Sequence, residues 1–312
     1  MTPHPGGMAL AGLKGALRYV RAYRDQVFVV KVGGDVVADP HGLDQVATQV
    51  GLLHSLGIRI VMVHGGGPQA TALARRLGQE PEIVAGRRVT DDGALEVAKM
   101  VFAGTVNLEL LCALRRHGVQ AVGVSGVDAD LLTASRRQPV EMKDDAGVTR
   151  MVDYGHVGDI QAVDGRVLTT LLEARFVPVV CSLAGDKDGQ VFNVNADTVA
   201  ERIAIALKAQ KLIFLTGVPG VLREKDDPSS LVAFADPDDL QQLMADGRLS
   251  GGMRPKVEAC IRAATGGVER THIIDGRVAD SLLQEVFTGA GTGTMIVGKK
   301  EKASYLGAEL AE

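Results

Sequence analysis

What most constrains this chain is a series of short, continuously apolar runs, several of which stop at glycine. VFVVKV (27–32) runs into Gly33-Gly34, RIVMVHG (59–65) into Gly65-Gly66-Gly67, QAVGVSG (120–126) ends on Gly126 and KLIFLTG (211–217) on Gly217. Runs without an alternating polar face are strands buried on both sides, and stretches of helical periodicity separate them. That alternation predicts an α/β fold, a three-layer sandwich with a mostly parallel central sheet covered by helices on both faces. FVPVVCSLA (176–184), THIID (271–275) and TMIVG (294–298) supply further strands. Helices are expected over about 42–56, from Pro68 onward, over 91–101 and 104–117, after NVNAD (193–197), and over 251–267. Pro68 suits a first helical turn, where its missing N–H is not needed. The polar, turn-rich stretch 131–167 reads as β-hairpins over the sheet edge, a possible lid.

At about 150 residues per domain, 312 residues suggest two units or one unit with two lobes. No Pro-, Ser- or Gly-rich linker divides the halves, so two lobes of one sheet are expected, 26–190 and 191–312, preceded by a separate segment, 1–25. Within that segment MTPHPGG (1–7) reads as a loose tail. Leu10, Leu13, Leu17, Val20 and Tyr23 then recur at helical spacing, with Lys14, Arg18, Arg21 and Arg24 between them. Such a helix either packs on its own domain or serves as an oligomerisation arm.

Composition removes several classes. With 34 Lys and Arg against 38 Asp and Glu the net charge is −4, unlike a nucleic-acid binder, which needs a clustered positive excess. Glycine numbers 38, about 12% where roughly 7% is usual, yet has no collagen period, and 46% hydrophobic content excludes a disordered chain. Cys112, Cys181 and Cys260 are odd in number and widely spaced. They predict neither a zinc site nor a disulfide framework, but small core hydrophobes in a reducing cytoplasm. No apolar run approaches the ~20 residues of a membrane span, and no signal peptide is evident.

In open parallel sheets, ligands bind beyond the carboxyl ends of strands, where loops enter helices. The glycines occupy such ends, and without Cβ their successive amides can cradle an anion. Three in a row, Gly65 to Gly67, exceed what a turn requires. No G-x-x-x-x-G-K-[ST] exists and no G-x-G-x-x-G follows the first strand, while GAGTG (289–293) precedes a strand and reads as coincidence. Lys31 lies inside a buried strand, costly unless it meets an anion. Lys256 lies early in a helix opened by Gly251-Gly252, and Asp197 early in another, where it also suits the helix dipole. His64 reads as a hydrogen-bonded structural residue.

KVGG (31–34), HGGGPQ (64–69), GRRVT (86–90), GHVGDI (155–160), NVNAD (193–197), LTGVPGVL (215–222) and GGMRPK (251–256) together resemble the amino-acid kinase family, over about residues 10–298. The resemblance implies two lobes of one amino-acid-kinase fold, 26–190 for the amino-acid substrate and 191–312 for the nucleotide. It implies MgATP-dependent phosphorylation of the γ-carboxylate of N-acetyl-L-glutamate. Lys31 and Lys256 would stabilise the phosphoryl group in transit and Asp197 would hold both lysines. Amides at Gly34 and Gly66 would bind that group, Gly66 and Gly67 would touch substrate, Arg88 would clamp its α-carboxylate and Asn193 would orient it. Gly217, Val218, Gly220 and Gly252 would line the nucleotide site, with Mg²⁺ held mainly by the ATP phosphates and no protein metal site. A carboxylate is already nucleophilic, so no general base is needed, and the work is charge neutralisation and alignment. Arg88 suits a carboxylate through its planar fork.

Gly217 departs from the Asp or Asn of many relatives, which bears on nucleotide contacts. The N-terminal helix and 272–296 resemble arginine-inhibited hexameric members, implying arginine near Tyr23, Glu285 and Gly293, and a homodimer or homohexamer. Glu285 alone reads equally as a helix-surface charge. The alternatives are a kinase for another acylated amino acid, such as N-succinylglutamate or a carrier-linked one, and a non-catalytic arginine sensor related to the kinase-like lobe of acetylglutamate synthases. A sensor would not need Lys31, Asp197 and Lys256, and no segment of acetyltransferase size follows residue 298.

Overall fold

The computed structural model describes residues 17–84, 87–143, 149–224, 227–249, 251–288 and 291–298. Leu10, Leu13 and Lys14 of the expected N-terminal helix, the tail before them, Gly86 and Gly289 lie outside these residues. Helical residues 17–23 continue that pattern up to the first strand.

The central sheet has eight strands: β1 (Val27–Val32), β2 (Arg59–His64), β3 (Ala121–Val124), β4 (Val177–Cys181), β5 (Lys211–Thr216), β6 (Phe234–Ala235), β7 (Arg270–Asp275) and β8 (Thr294–Val297). Their order is β6-β8-β7-β5-β1-β2-β4-β3, and every pair is parallel except β7 with β8. Alternation along β1 sends Phe28, Val30 and Val32 to one core and Val29 to the other, so both faces are covered as expected.

The first face carries α1 (Gly34–Ala38), α2 (Pro40–Ser55), α3 (Gly67–Arg76) and α4 (Asp92–Arg116). Helix α2 starts two residues earlier than expected because Asp39 caps it, accepting from the amides of His41 and Gly42 at 3.1 Å. The opposite face carries α5 (Arg166–Glu173), α6 (Ala196–Ala206), α7 (Pro237–Ala245) and α8 (Met253–Thr265). A last helix, α9 (Ser281–Phe287), docks back on the first face, the Leu282 amide donating to buried Gln49 Oε1 at 2.9 Å.

Several expectations change. The two helices predicted over 91–117 are one, α4, whose middle, Lys99–Val106, winds as a π-helix and absorbs Gly104. By length and mean hydropathy, 1.6, α4 could cross a membrane, contrary to the reading that no such segment exists. Half of that stretch is buried here, with Val101, Phe102, Val106 and Leu110 in the core, so burial accounts for its apolarity. Cys112 faces outward from α4 rather than inward, while Cys181 and Cys260 are core residues. The run 176–184 divides into β4 and a separate strand, Leu183–Gly185. That strand joins Val191–Asn193, Leu132–Arg136 and Gly158–Val163 in a four-stranded sheet beside the main one. The expected hairpins over 131–167 are thus partly this sheet and partly the pair Val140–Lys143 with Thr149–Val152.

Candidate active site

The chain leaves β1 toward β2 on one side and β5 toward β7 on the other, so a crevice opens beyond the adjacent carboxyl ends of β1 and β5. The Gly33 amide closes its floor by donating to Leu215 O at 2.8 Å. Lys31, one pleat before that turn, points to the face where α6 begins. Its Nζ lies 2.8 Å from Asp197 Oδ1, and Lys256 Nζ donates to Asp197 Oδ2 at 3.1 Å. Side-chain exposure of 8% for Lys31 and 7% for Asp197 puts both at the floor, and 19% for Lys256 puts it nearer the opening. Burial opposes ionisation of Asp197, but the two flanking ammonium groups outweigh it and hold the carboxyl below its ordinary range. One carboxylate between two lysines leaves one uncompensated positive charge facing the crevice, the arrangement an anionic ligand would complete.

Asp197 lies in the first turn of α6, as expected, and the cap of that helix is Asn195. Its Oδ1 accepts from the amides of Asp197 at 2.7 Å and Thr198 at 3.2 Å, leaving the Asp197 carboxylate for the lysines. Lys256 sits in the first turn of α8, its Nζ also donating to Gly252 O at 3.4 Å.

The two glycine loops meet. A Cβ at Gly34 would lie 2.8 Å from Pro68 Cδ, and Gln69 Nε2 donates to Gly34 O at 3.1 Å, so α1 and α3 start side by side. First-turn amides have no partner within their helix, so each of these helix starts carries donors that an anion could take up. Gly66 is packed against α4, where a Cβ would fall 2.8 Å from Phe102 Cδ1, whereas a Cβ on Gly67 would meet nothing within 4 Å. His64 is buried and its imidazole is pushed down to about 4, by burial first and then the Lys31 charge. It is neutral, in keeping with a structural role.

Two cavities receive most of the predicted residues, whereas Asp197, Gly66 and Gly67 line neither. One, of about 460 Å³, is lined by Lys31, Gly34, Gly217, Val218, Gly220, Gly252 and Lys256. Leu222, Leu249 and Met253 add an apolar wall that motif reading did not single out. The other, of about 400 Å³, is lined by Arg88, Asn193, Arg137 and Arg262. Arg88 Nη2 donates to Thr71 Oγ1 at 2.6 Å and to Gly67 O at 3.2 Å, and Asn193 Nδ2 donates to Thr90 Oγ1 at 3.1 Å. The segment Tyr154–Gly158 stitches these parts together, with Thr90 N donating to Tyr154 O and Asn193 N to His156 O, both at 2.9 Å. Arg277 was also missed. It is held by Asp275, and its Nη2 donates to Gly217 O at 2.5 Å. A Cβ at Gly217 would stand 3.6 Å from the guanidinium carbon, an ordinary contact, so Arg277 does not by itself require glycine there. Among the described residues no group of three or more His, Cys, Asp or Glu could hold a metal.

Tyr23, Glu285 and Gly293 lie apart from these cavities, on the strand β7 side. Glu285 is not a surface charge: it is 6% exposed. His272 Nδ1 donates to its Oε1 at 2.7 Å and the Thr292 amide to its Oε2 at 2.6 Å. Burial disfavours that carboxylate, yet these donors and Lys211 pull it down to about 2. Lys211 Nζ lies 3.1 Å from His272 Nε2 and 5.2 Å over the Tyr23 ring. Gly293 packs against Ile274, whose Cγ2 would be 2.7 Å from a Cβ there.

Residues 26–275 match the Amino acid kinase family. Over 289 residues the chain is 48% identical to the acetylglutamate kinase of Myxococcus xanthus (strain DK1622), covering 92% of this chain and 94% of that one. It is 47% identical over 287 residues to the acetylglutamate kinase of Symbiobacterium thermophilum (strain DSM 24528 / JCM 14929 / IAM 14863 / T), covering 92% and 97%. Among solved structures it is similar to the N-acetylglutamate synthase of Neisseria gonorrhoeae complexed with coenzyme A and N-acetyl-glutamate, at TM-score 0.79 and 30% identity over 93% of this chain. The same synthase complexed with coenzyme A and L-arginine gives TM-score 0.78 and 29% identity, also over 93%. The chain spans 63% and 65% of the length of those two synthase chains.

Proposed function

The chain belongs to the amino acid kinase family, and from that premise we propose that it transfers the γ-phosphoryl group of ATP to the γ-carboxylate of N-acetyl-L-glutamate, giving N-acetyl-L-glutamyl 5-phosphate in arginine biosynthesis. Near-full-length identity to acetylglutamate kinases supports the activity. The observation that carries the mechanism is the Lys31–Asp197–Lys256 bridge beside both cavities.

The larger cavity suits ATP: apolar Leu222, Leu249 and Met253 for a base, Gly217 to Gly220 for close backbone approach, and two lysines for phosphates. ATP supplies the phosphoryl group, and Mg²⁺ would be held mainly by its phosphates. Lys31 and Lys256 neutralise charge spreading over the phosphoryl oxygens, while Asp197 fixes both without accepting a proton. Amides at Gly34 and Gly66 address the same oxygens. Arg88 and Asn193, in the other cavity, hold the substrate carboxylate and orient it, and Gly67, whose carbonyl accepts from Arg88, lies with Gly66 against its chain. The lobe 26–190 serves mainly the amino-acid substrate and 191–312 mainly the nucleotide, with Asn193 reaching the first site from the second lobe and Lys31 and Gly34 reaching the second site from the first. No residue need act as base, consistent with neutral, buried His64.

Arginine inhibition is a further part of this reading, at Tyr23, Glu285 and Gly293. A carboxylate kept anionic inside the protein, and the likeness to a synthase solved with L-arginine, support it. A cytoplasmic homodimer or homohexamer completes it. A coupled assay comparing acetylated with succinylated glutamate, with and without arginine, tests these points. A strong preference for the succinylated compound overturns the substrate assignment, and full activity in excess arginine overturns the inhibition.

A further inference from the structure

The π-helical middle of α4 and the buried residue that follows it touch the glycine loop from behind, and neither belongs to the site described so far. The π-helical turn is rare and occurs frequently at functional sites. Here it sets Phe102 and Val101 against Gly66, with a Gly66 Cβ falling 2.8 Å from Phe102 Cδ1 and 3.3 Å from Val101 Cγ1. Directly after it comes Asn107, 4% exposed. Its Nδ2 donates to Val179 O of β4 at 3.1 Å and lies 3.1 Å from His64 Nε2. His64 Nδ1 in turn lies 2.8 Å from Gly65 O.

An amide nitrogen only donates, so His64 Nε2 must be the acceptor and Nδ1 must carry the hydrogen, which it gives to Gly65 O. We propose that Asn107 is a positioning residue for phosphoryl transfer, fixing the tautomer and rotation of His64 and through it the first peptide of the Gly65–Gly67 loop. Rotation of that peptide would turn the amides that follow it. Gly123 on β3 makes the device possible, because any Cβ there would collide with Asn107 Oδ1. The chain therefore runs from the sheet edge at Gly123, through Asn107 and His64, to the loop, without touching ligand. Burial keeps the imidazole neutral throughout physiological pH, so the relay does not switch.

The catalytic consequence rests on the kinase reading, whereas the relay does not. Nitrogen-15 NMR of histidine in the native protein at neutral pH is expected to show His64 as the Nδ1–H tautomer, and Asn107→Ala to shift the Gly65, Gly66 and Gly67 amides. An Nε2–H or cationic His64, or unmoved loop amides, overturns the relay whatever the enzyme phosphorylates. In folded Asn107→Ala, and in Gly123→Ala should the first variant not fold, kcat is expected to fall roughly 10- to 100-fold, as misplacement of reacting groups does, with the KM for ATP changed less than threefold. His64→Asn, which keeps a donor near Gly65 O, should lose less than His64→Leu. A kcat within twofold of native in Asn107→Ala overturns the positioning role. Absence of kinase activity in the native protein would instead refute the proposed function and leave the NMR result to decide the relay.

Discussion

At the scale of residues, the protein places charge where burial makes it expensive and then compensates it. Asp197 is ionised only because Lys31 and Lys256 flank it, and the remaining positive charge waits for an anion. Arg88 differs, since it lines the other cavity and its contacts are with Gly67 O and Thr71. Arg88→Ala is therefore expected to raise the KM for acetylglutamate roughly tenfold or more with little change in kcat, measured by steady-state kinetics; losing a charged hydrogen bond is worth about 1.5–3 kcal/mol. Buried histidines set the acid limit. His64 and His272, both pushed down to about 4, stay neutral in the folded state while the unfolded chain takes up protons below about pH 6.5. The unfolded state then binds more protons, so stability falls as pH drops from about 6.5 to 4, by about 3 kcal/mol for His64 alone. Glu285, pulled down to about 2, loses its own contribution only below about pH 4.5. Denaturant midpoints across this range test the sign, and H64N should flatten the slope.

At the scale of elements, neighbouring glycines do different work. Gly66→Ala drives a Cβ into Phe102 and is expected to destabilise by about 1–3 kcal/mol. Gly67→Ala meets open space, so it should leave stability within about 0.5 kcal/mol while raising the substrate KM. Thermal melts beside kinetics separate the two effects. The strands were legible because each buried run is short, apolar and ended by a turn. Helix α4 was not legible as one element. Gly104 looks like a break, yet burial of Val101, Phe102 and Val106 outweighs its cost of about 1 kcal/mol. Helix α7 carried a local signal that was passed over, Asp236 and Asp239 forming a capping box around Pro237.

At the scale of the whole molecule, Lys31 was legible because a lysine inside a buried strand is out of place, whereas Asp197 suits its helix dipole and became legible, with Lys256, through the NVNAD and GGMRPK motifs. The distant partners of Glu285 were not. Its neighbours in sequence read as a surface helix, while His272, on strand β7, and the Thr292 amide bury it. Cys112 misled for the converse reason, an apolar residue on the outward face of a half-buried helix. The terminal segment belongs to this scale too: Tyr23 stacks edge-on with Phe28 at 5.2 Å, and Tyr19 with Phe287 at 6.5 Å. Deleting residues 1–16 spares these contacts and is expected to lower the sedimentation mass and arginine sensitivity. An unchanged mass would rule out an oligomerisation arm. The central claim is that Lys31, held by Asp197, neutralises the phosphoryl group in flight. Steady-state phosphorylation of acetylglutamate by folded Lys31→Ala tests it most directly: kcat should fall about a hundredfold or more, as when one preorganised donor to a transition state is lost, and undiminished turnover would contradict it.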